Sequence, residues 1–239
     1  MRPDPRAWRR EKEAFWKRVF EDLEIGYFDR DLLPLVVLVN SDAELYTTSS
    51  CSGRIVVVDS EAPWTREETG TVYKSHVPVD PGELRFMYRL DPHRGYWIVV
   101  TGPIIHLSAL NTKRALEVLK IARHTGFKHS GILHISKSKG VFVELVTGVY
   151  VAQLVRTKSR VLIPEHELEF LVEIVNSVLI EGKKRLQRLY FELQKELPRV
   201  KDDYVETLLE RFSDTIKKKT PFEVFLELCK EKGITCQAS

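Results

Sequence analysis

The sequence predicts a mixed α/β or α+β fold, with a mixed sheet core and flanking helices and no doubly wound sheet. Three observations carry this. Strand-like runs come in two groups, at 43–101 and 131–163, separated by one well-capped helix at 112–125. Long helical patterns stand before the first group and after the second. No GxGxxG follows the first strand and no Walker A loop is present, so a Rossmann-type nucleotide site has no support.

The first helix is expected over 5–24, where Trp8, Phe15, Trp16, Val19, Phe20 and Leu23 recur near helical spacing. The run 32–40 (LLPLVVLVN) is β-branched like a strand. Asp31 as a cap and Pro34 in a first turn favour a short buried helix. Strands follow at 43–48, 54–59, 71–76 and 96–101, the last ending at Gly102-Pro103. Asn111 caps the helix 112–125, whose stripe is Ala115, Val118, Leu119 and Ala122, and Gly126 stops it. Further strands are expected at 131–136, 140–146, 149–155 and 159–163. Pro164 then opens a long helix that ends at Leu197, before Pro198. Two helices close the chain, over 203–218 and 221–232. Thr220, Pro221 and Glu223 supply a capping box for the second, and Cys229 lies on its apolar stripe. Ser52-Gly53 and Ser130-Gly131 each lead into a strand, a faint echo that would fit an internal duplication.

The 239 residues are 43% hydrophobic and 30% charged, a soluble globular composition. No apolar run approaches the ~20 residues that span a bilayer, and the first residues lack the apolar stretch of a signal peptide. Cys51, Cys229 and Cys236 make no disulfide framework and have no CxxC spacing, which points to a reducing, cytoplasmic setting. A net charge of +3 does not by itself mark a nucleic-acid binder. Basic residues cluster, however, in 1–18, in KKRLQR at 183–188 and in KKK at 217–219. These are either solvated helix faces or contacts for a phosphate backbone.

The most unusual stretch is Thr47-Thr48-Ser49-Ser50-Cys51-Ser52-Gly53-Arg54. Hydroxyls and backbone amides in a tight loop can cradle a carboxylate or phosphate, with Arg54 as a clamp. The plainer reading is a serine-rich turn with Cys51 as a small buried hydrophobe. His76, His106 and His129 stand at expected element edges, where functional residues tend to be displayed, although each also suits an ordinary surface histidine. No HxxxH or HExxH spacing exists, so no metal site is expected.

Taken together, these segments resemble the tRNA wybutosine-synthesising protein 3 family of archaea and eukaryotes, over much of residues 20–190. The pieces are Tyr46 to Ile55 around TSSCSGR, Ser75-His76, Gly102-Pro103-Ile104-Ile105-His106, and Ala115 to Ile132 with GFKHSGI. Asn176 and Arg185 on the long helix complete the set. Gly102 replaces an acidic residue of the family pattern, Gly182 replaces a frequent second Asn, and the tryptophan usual upstream of Ser75-His76 is absent.

The resemblance implies a domain over 1–197 with a helical extension over 198–239. It also implies an S-adenosylmethionine-dependent methyltransferase outside the usual methyltransferase fold. The acceptor would be a ring nitrogen of the tricyclic wyosine-type base at position 37 of tRNA(Phe), beside the anticodon. His76, His106, Ser50 and Cys51 would form the catalytic centre, with Cys51 shaping the loop and not acting as a nucleophile. Ser49, Ser52, Gly53, Arg54, Ser75, Ser130 and Gly131 would contact the cofactor. Trp64 and Tyr73 would stack on the base, with Trp97 a weaker candidate. Lys183 and Arg185 would grip the anticodon stem-loop. Two other readings use the same residues. One is a non-catalytic RNA-binding module. The other is a hydrolase that would lose turnover in Cys51→Ala or in a Ser50/Ser52 double mutant.

Overall fold

A computed structural model describes residues 3–65, 70–197, 202, 203, 206, 207, 210 and 219–236. The chain forms two compact units whose segments alternate: Met1–Ser52, Pro103–Gly148 and Lys183–Glu227 in the first, Gly53–Gly102, Val149–Gly182 and Leu228–Ser239 in the second. Among the described residues each unit holds one four-stranded sheet, and every pairing in both is antiparallel. The expected α+β class therefore holds, but as two separate antiparallel sheets in place of one mixed sheet.

The first unit opens with helix α1 (Pro5–Glu24), capped by Asp4, whose side chain accepts from the amides of Arg6 and Ala7. Its stripe buries Trp8, Trp16, Val19 and Phe20, at about 1.5–3 kcal/mol for each large apolar side chain. Helix α2 (Leu33–Asn40) follows a 3-10 turn at Arg30–Leu32. Asp31 is not its cap. The capping position is Leu32, without a side-chain bond, and Asp31 turns inward. The first sheet takes the order β1 (Leu45–Cys51), β5 (Ile104–Ala109), β7 (Gly140–Val146), β6 (Gly131–Ser136). Helix α5 (Thr112–His124), capped by Asn111 at 2.9 Å from the Arg114 amide, joins its core. Gly140 turns tightly at φ 81°, and a Cβ there would meet Ala109 O and the Trp8 ring.

In the second unit the order is β3 (Gly70–Ser75), β2 (Arg54–Asp59), β4 (Gly95–Thr101), β8 (Tyr150–Thr157). Ile55, Val57, Ile98 and Val100 pack with Leu168, Leu171, Val175 and Leu179 of helix α6 (Leu168–Glu196). Two short helices, α3 (Pro81–Leu84) and α4 (Phe86–Arg89), add Leu84 and Met87 to that core. The chain ends in helix α7 (Pro221–Glu231), opened by the expected box: Glu223 accepts from the Thr220 amide at 2.7 Å, and Thr220 Oγ1 from the Glu223 amide at 3.4 Å.

Several expectations change. β4 ends at Thr101, before Gly102-Pro103, as expected, but an unexpected strand follows at once: β5 begins at Ile104 and places His106 inside a strand. The serine-rich stretch is also strand, since β1 runs to Cys51 and leaves only Ser52-Gly53 as the link. No strand forms over 159–163; Val161 makes a single bridge to Arg156. The two Ser-Gly entries lead to non-equivalent places, an inner strand for β2 and an edge strand for β6. Cys229 and Cys236 are joined as a disulfide with Cα atoms 6.3 Å apart, contrary to the expectation of unbridged cysteines, and Cys51 takes no part in a disulfide. The helix expected over 203–218 and residues 217 and 218 of the KKK cluster fall largely outside the described residues.

Among the described residues, three ion pairs are buried in the first unit. Arg114 binds Asp42, Lys12 binds Asp202 at 2.7 Å, and Lys183 binds Asp31 at 2.7 Å. Lys183 and Asp31 are each 1% exposed, and the ammonium also donates to Ser52 Oγ at 2.6 Å. Lys183→Met strands a buried carboxylate and is expected to cost about 3–5 kcal/mol in urea unfolding. The double variant Lys183→Met/Asp31→Leu should recover most of that loss. Burial pushes the Asp202 carboxyl up, but the hydrogen bonds and charges of Lys12 and Arg9 outweigh it and hold the group below its ordinary value. A lowered folded value means stability that is present above about pH 4 and lost as pH falls further. Asp202→Asn should therefore flatten the acid limb of a denaturant-midpoint profile and lower the plateau at neutral pH.

Candidate active site

Within the first unit, the polar centre grows from a strand irregularity. β1 pairs with β5 at Thr47 with Leu107 and again at Ser50 with Ile105, so Thr48 and Ser49 together face His106. Such a bulge re-aims the side chains it carries. Ser49 is exposed, and both its Oγ (3.1 Å) and its carbonyl oxygen (2.9 Å) meet Nδ1 of His106. Nε2 of the same ring meets Glu144 Oε1 at 2.9 Å. His106 stands opposite Glu144 in the β5–β7 register, and Glu144 stands opposite Gly131 in β6. A row Ser49–His106–Glu144–Gly131 thus crosses the sheet. Strand alternation sets it on the face opposite that of the core residues Ile105 and Leu107. The imidazole is oriented by hydrogen bonds at both nitrogens, and Gly131 leaves open space where a side chain would stand.

Beside this row, Ser50 Oγ is a buried hydroxyl with no partner among the described residues. An unsatisfied buried hydroxyl fits a polar group of a bound ligand. Ser52 has no such freedom: its amide donates to Asp29 at 2.9 Å and its Oγ accepts from Lys183. Ser130 is likewise engaged, donating to Phe127 O at 2.7 Å and accepting from the Val146 amide at 3.0 Å. It closes the α5–β6 connection. Lys183 lies in the interior, so the expected grip on an RNA stem does not apply to it. Helical periodicity splits KKRLQR into buried Lys183 and Leu186 and an exposed Arg188. Arg185 lies half-buried, with Nη1 donating to Gly126 O at 3.2 Å. It belongs to a pocket of about 300 Å³ with His124, Lys128, His129 and Arg188, a strongly basic lining suited to phosphate.

Within the second unit, Gly53 (φ 94°) and exposed Arg54 open β2. The Gly53 carbonyl oxygen lies 3.2 Å from Nδ1 of His76. Ser75 is buried and donates to Val77 O at 2.6 Å, which folds the turn that carries His76. Asn176 brackets the end of that turn: its Oδ1 accepts from the Val79 amide and its Nδ2 donates to Val79 O, each at 2.9 Å. Tyr73 donates to Glu83 Oε1 at 2.6 Å. Burial raises the Tyr73 hydroxyl above its ordinary value, and the bond to Glu83 raises it further. Trp64 is 76% exposed, while Trp97 is half-buried with its indole donating to Ser60 O at 3.2 Å. Trp97 is thus a packing residue, whereas the Trp64 ring is open to a partner.

Two partners of the predicted residues carry no signal in the sequence, Glu144 and Asp29. Glu144 is recognisable only from the β5–β7 register, and β5 itself is hidden behind Gly102-Pro103. Asp29 reaches the Ser52 amide from 23 residues away, with no local pattern to announce it.

Comparison with known proteins gives a consistent result. The family described as Methyltransferase TYW3 matches residues 10–195. A Saccharolobus solfataricus protein named tRNA(Phe) 7-((3-amino-3-carboxypropyl)-4-demethylwyosine(37)-N(4))-methyltransferase is 38% identical over 184 residues, 77% of this chain and 88% of that protein. An Aeropyrum pernix protein of the same name is 29% identical over 180 residues, 74% of this chain and 94% of its own. The solved structure of a Pyrococcus horikoshii protein superposes with a TM-score of 0.73 at 28% identity, covering 79% of this chain and 97% of that one. With a match that spans both sheets and the motifs at 46–55, 75–76 and 102–106, this chain belongs to the TYW3 methyltransferase family.

Proposed function

We propose that this chain is an S-adenosylmethionine-dependent tRNA methyltransferase of wybutosine biosynthesis. It methylates a ring nitrogen, N4, of the 7-(3-amino-3-carboxypropyl)-4-demethylwyosine-type base at position 37 of tRNA(Phe). The observation that carries this is the family match over residues 10–195, joined to relatives that bear that activity in their names. A tRNA substrate fits a cytoplasmic setting, and among the described residues no helix is long and apolar enough to cross a membrane. The named relatives are archaeal, which suits an archaeal source.

Bound S-adenosylmethionine supplies an electrophilic methyl on a sulfonium, and its transfer leaves a neutral thioether. The protein's work is then alignment, exclusion of water and disposal of the proton from the acceptor nitrogen. His106, fixed by Ser49 and Glu144, is suited to orient the base or take that proton, with Glu144 balancing the charge on the ring. His76 is a second orienting group on its own turn. In the first unit the Ser50 hydroxyl, unpartnered among the described residues, offers a donor to a polar group of the cofactor; in the second the exposed Arg54 offers a cation to a carboxylate or phosphate. Ser49 and Gly131 belong to the polar row of the first sheet and Cys51 ends β1, while in the second unit Gly53 meets His76 and Ser75 folds the turn that carries it. Trp64 offers a ring for a splayed base, with Tyr73 the secondary candidate. Arg185 and its basic pocket take a backbone phosphate of the anticodon stem-loop.

Transfer of labelled methyl from S-adenosylmethionine to tRNA(Phe) carrying the demethylated base tests the reading directly. Wild type should label position 37. His106→Ala should lower kcat by about 10²-fold or more, the range for a lost general base, and His76→Ala should also impair transfer. Bound tRNA without any label would remove the methyltransferase reading in favour of a non-catalytic anticodon-loop module.

Salt titration of tRNA binding tests the pocket. Arg185→Gln/Arg188→Gln should weaken binding and reduce the slope of log K against log salt by about 0.7–0.9 for each phosphate no longer neutralised. An unchanged slope would place the RNA elsewhere.

A further inference from the structure

The Ser75–Val79 turn carries His76, and a second residue holds it besides Asn176. Lys232 follows helix α7 and lies beyond the residues that the family matches. Its ammonium donates to Pro78 O at 3.1 Å and pairs with Glu83 Oε2 at 2.9 Å, with Ser75 Oγ and Tyr73 OH each at 3.5 Å. Glu83 in turn accepts from Tyr73 and from the Asp80 amide at 2.8 Å. Burial pushes the Glu83 carboxyl up, but these bonds and the Lys232 charge prevail and hold it below its ordinary value.

The backbone that delivers Lys232 is itself constrained. Gly233 adopts φ 77°, and the Ile234 amide returns to Cys229 O at 2.9 Å, a helix stop of the Schellman type. The Cys229–Cys236 disulfide closes the loop around the lysine. An ordinary solvent-facing lysine after a helix has no such surround.

The geometry points to Lys232 as a positioning residue: the segment 229–236 is a clasp that fixes the Ser75–Val79 turn and, through it, the imidazole of His76. The clasp stands on its hydrogen bonds and ion pair alone, while its effect on turnover rests on the methyltransferase reading given above.

Full-length Lys232→Met, with Lys230→Met as a control on the exposed side of α7, separates the two. Hydrogen–deuterium exchange of the 75–79 amides should quicken in Lys232→Met and not in Lys230→Met. The melting temperature should stay close to wild type, since a part-exposed ion pair adds little stability. kcat for methyl transfer should fall about tenfold, with KM for tRNA changed by less than about twofold, as a misaligned group costs rate more than binding. Lys232→Arg, which keeps a cation within reach of Glu83 and Pro78 O, should restore most of both readouts. Gly233→Ala, strained at positive φ, should reproduce the methionine variant by displacing the lysine. Unchanged exchange over 75–79 would overturn the clasp whatever the activity. Faster exchange with unchanged kcat would overturn its role in positioning. If wild type transfers no methyl, the functional reading fails and the exchange data alone decide the clasp.

Discussion

A lysine ammonium at the first turn of the first unit's part of α6 organises the polar end of the first sheet. Lys183 is buried, so its charge must be met inside the protein. Asp31 and Ser52 meet it, and Asp29 holds the Ser52 amide. Three stretches far apart in sequence are thereby fastened at the point where β1 ends. Asp31 Oδ1 is left without a partner among the described residues, a cost that a purely apolar solution would avoid. The gain from such a buried pair is directional: it admits few alternative arrangements of the strand end, where a hydrophobic contact would admit many.

With the end of β1 so fixed, the bulge at Thr48-Ser49 has a defined place, and cross-strand registry does the rest. His106 faces the bulge, Glu144 faces His106, and Gly131 faces Glu144. A slip of one residue in β5 would turn His106 into the core and present Ile105 or Leu107 to the polar row. The buried position of those two side chains is thus also what holds the histidine outward. In the second unit the logic differs. There a turn, not a strand, carries the histidine, and side chains from α6 and from the end of α7 hold it through its backbone groups. A turn has no ladder to keep it in register, so its bonds must come from side chains.

Much of the fold is legible in the sequence because the relevant signals are local. The Asn111 cap and Gly126 stop bound α5, and the Thr220–Glu223 box opens α7, each within a few residues of the expected place. The run 32–40 forms a buried helix with Pro34 in its first turn as expected, although Asp31 is not its cap. The elements that the sequence hides share a cause. Gly102-Pro103 punctuates strongly, so Ile104–Ala109 reads as a lead into α5; the partners that make it a strand are β1 and β7, distant in sequence. Ser-rich sequence has weak strand propensity, so 49–51 reads as loop after the expected strand 43–48, until a neighbouring strand supplies its hydrogen bonds.

The chain's own residues determined its family, its element types and the polar character of the Ser49–Arg54 stretch, because composition, period and capping act over a few residues. Tertiary structure alone decided which polar groups are engaged and which are open. Ser52, Ser130 and Lys183 resemble exposed site residues in sequence, yet each is buried and bonded. Ser50, flanked by the same kinds of residue, keeps an unused hydroxyl among the described residues. The difference lies in register and burial, which depend on strands and helices tens of residues away, and no short window of sequence contains them.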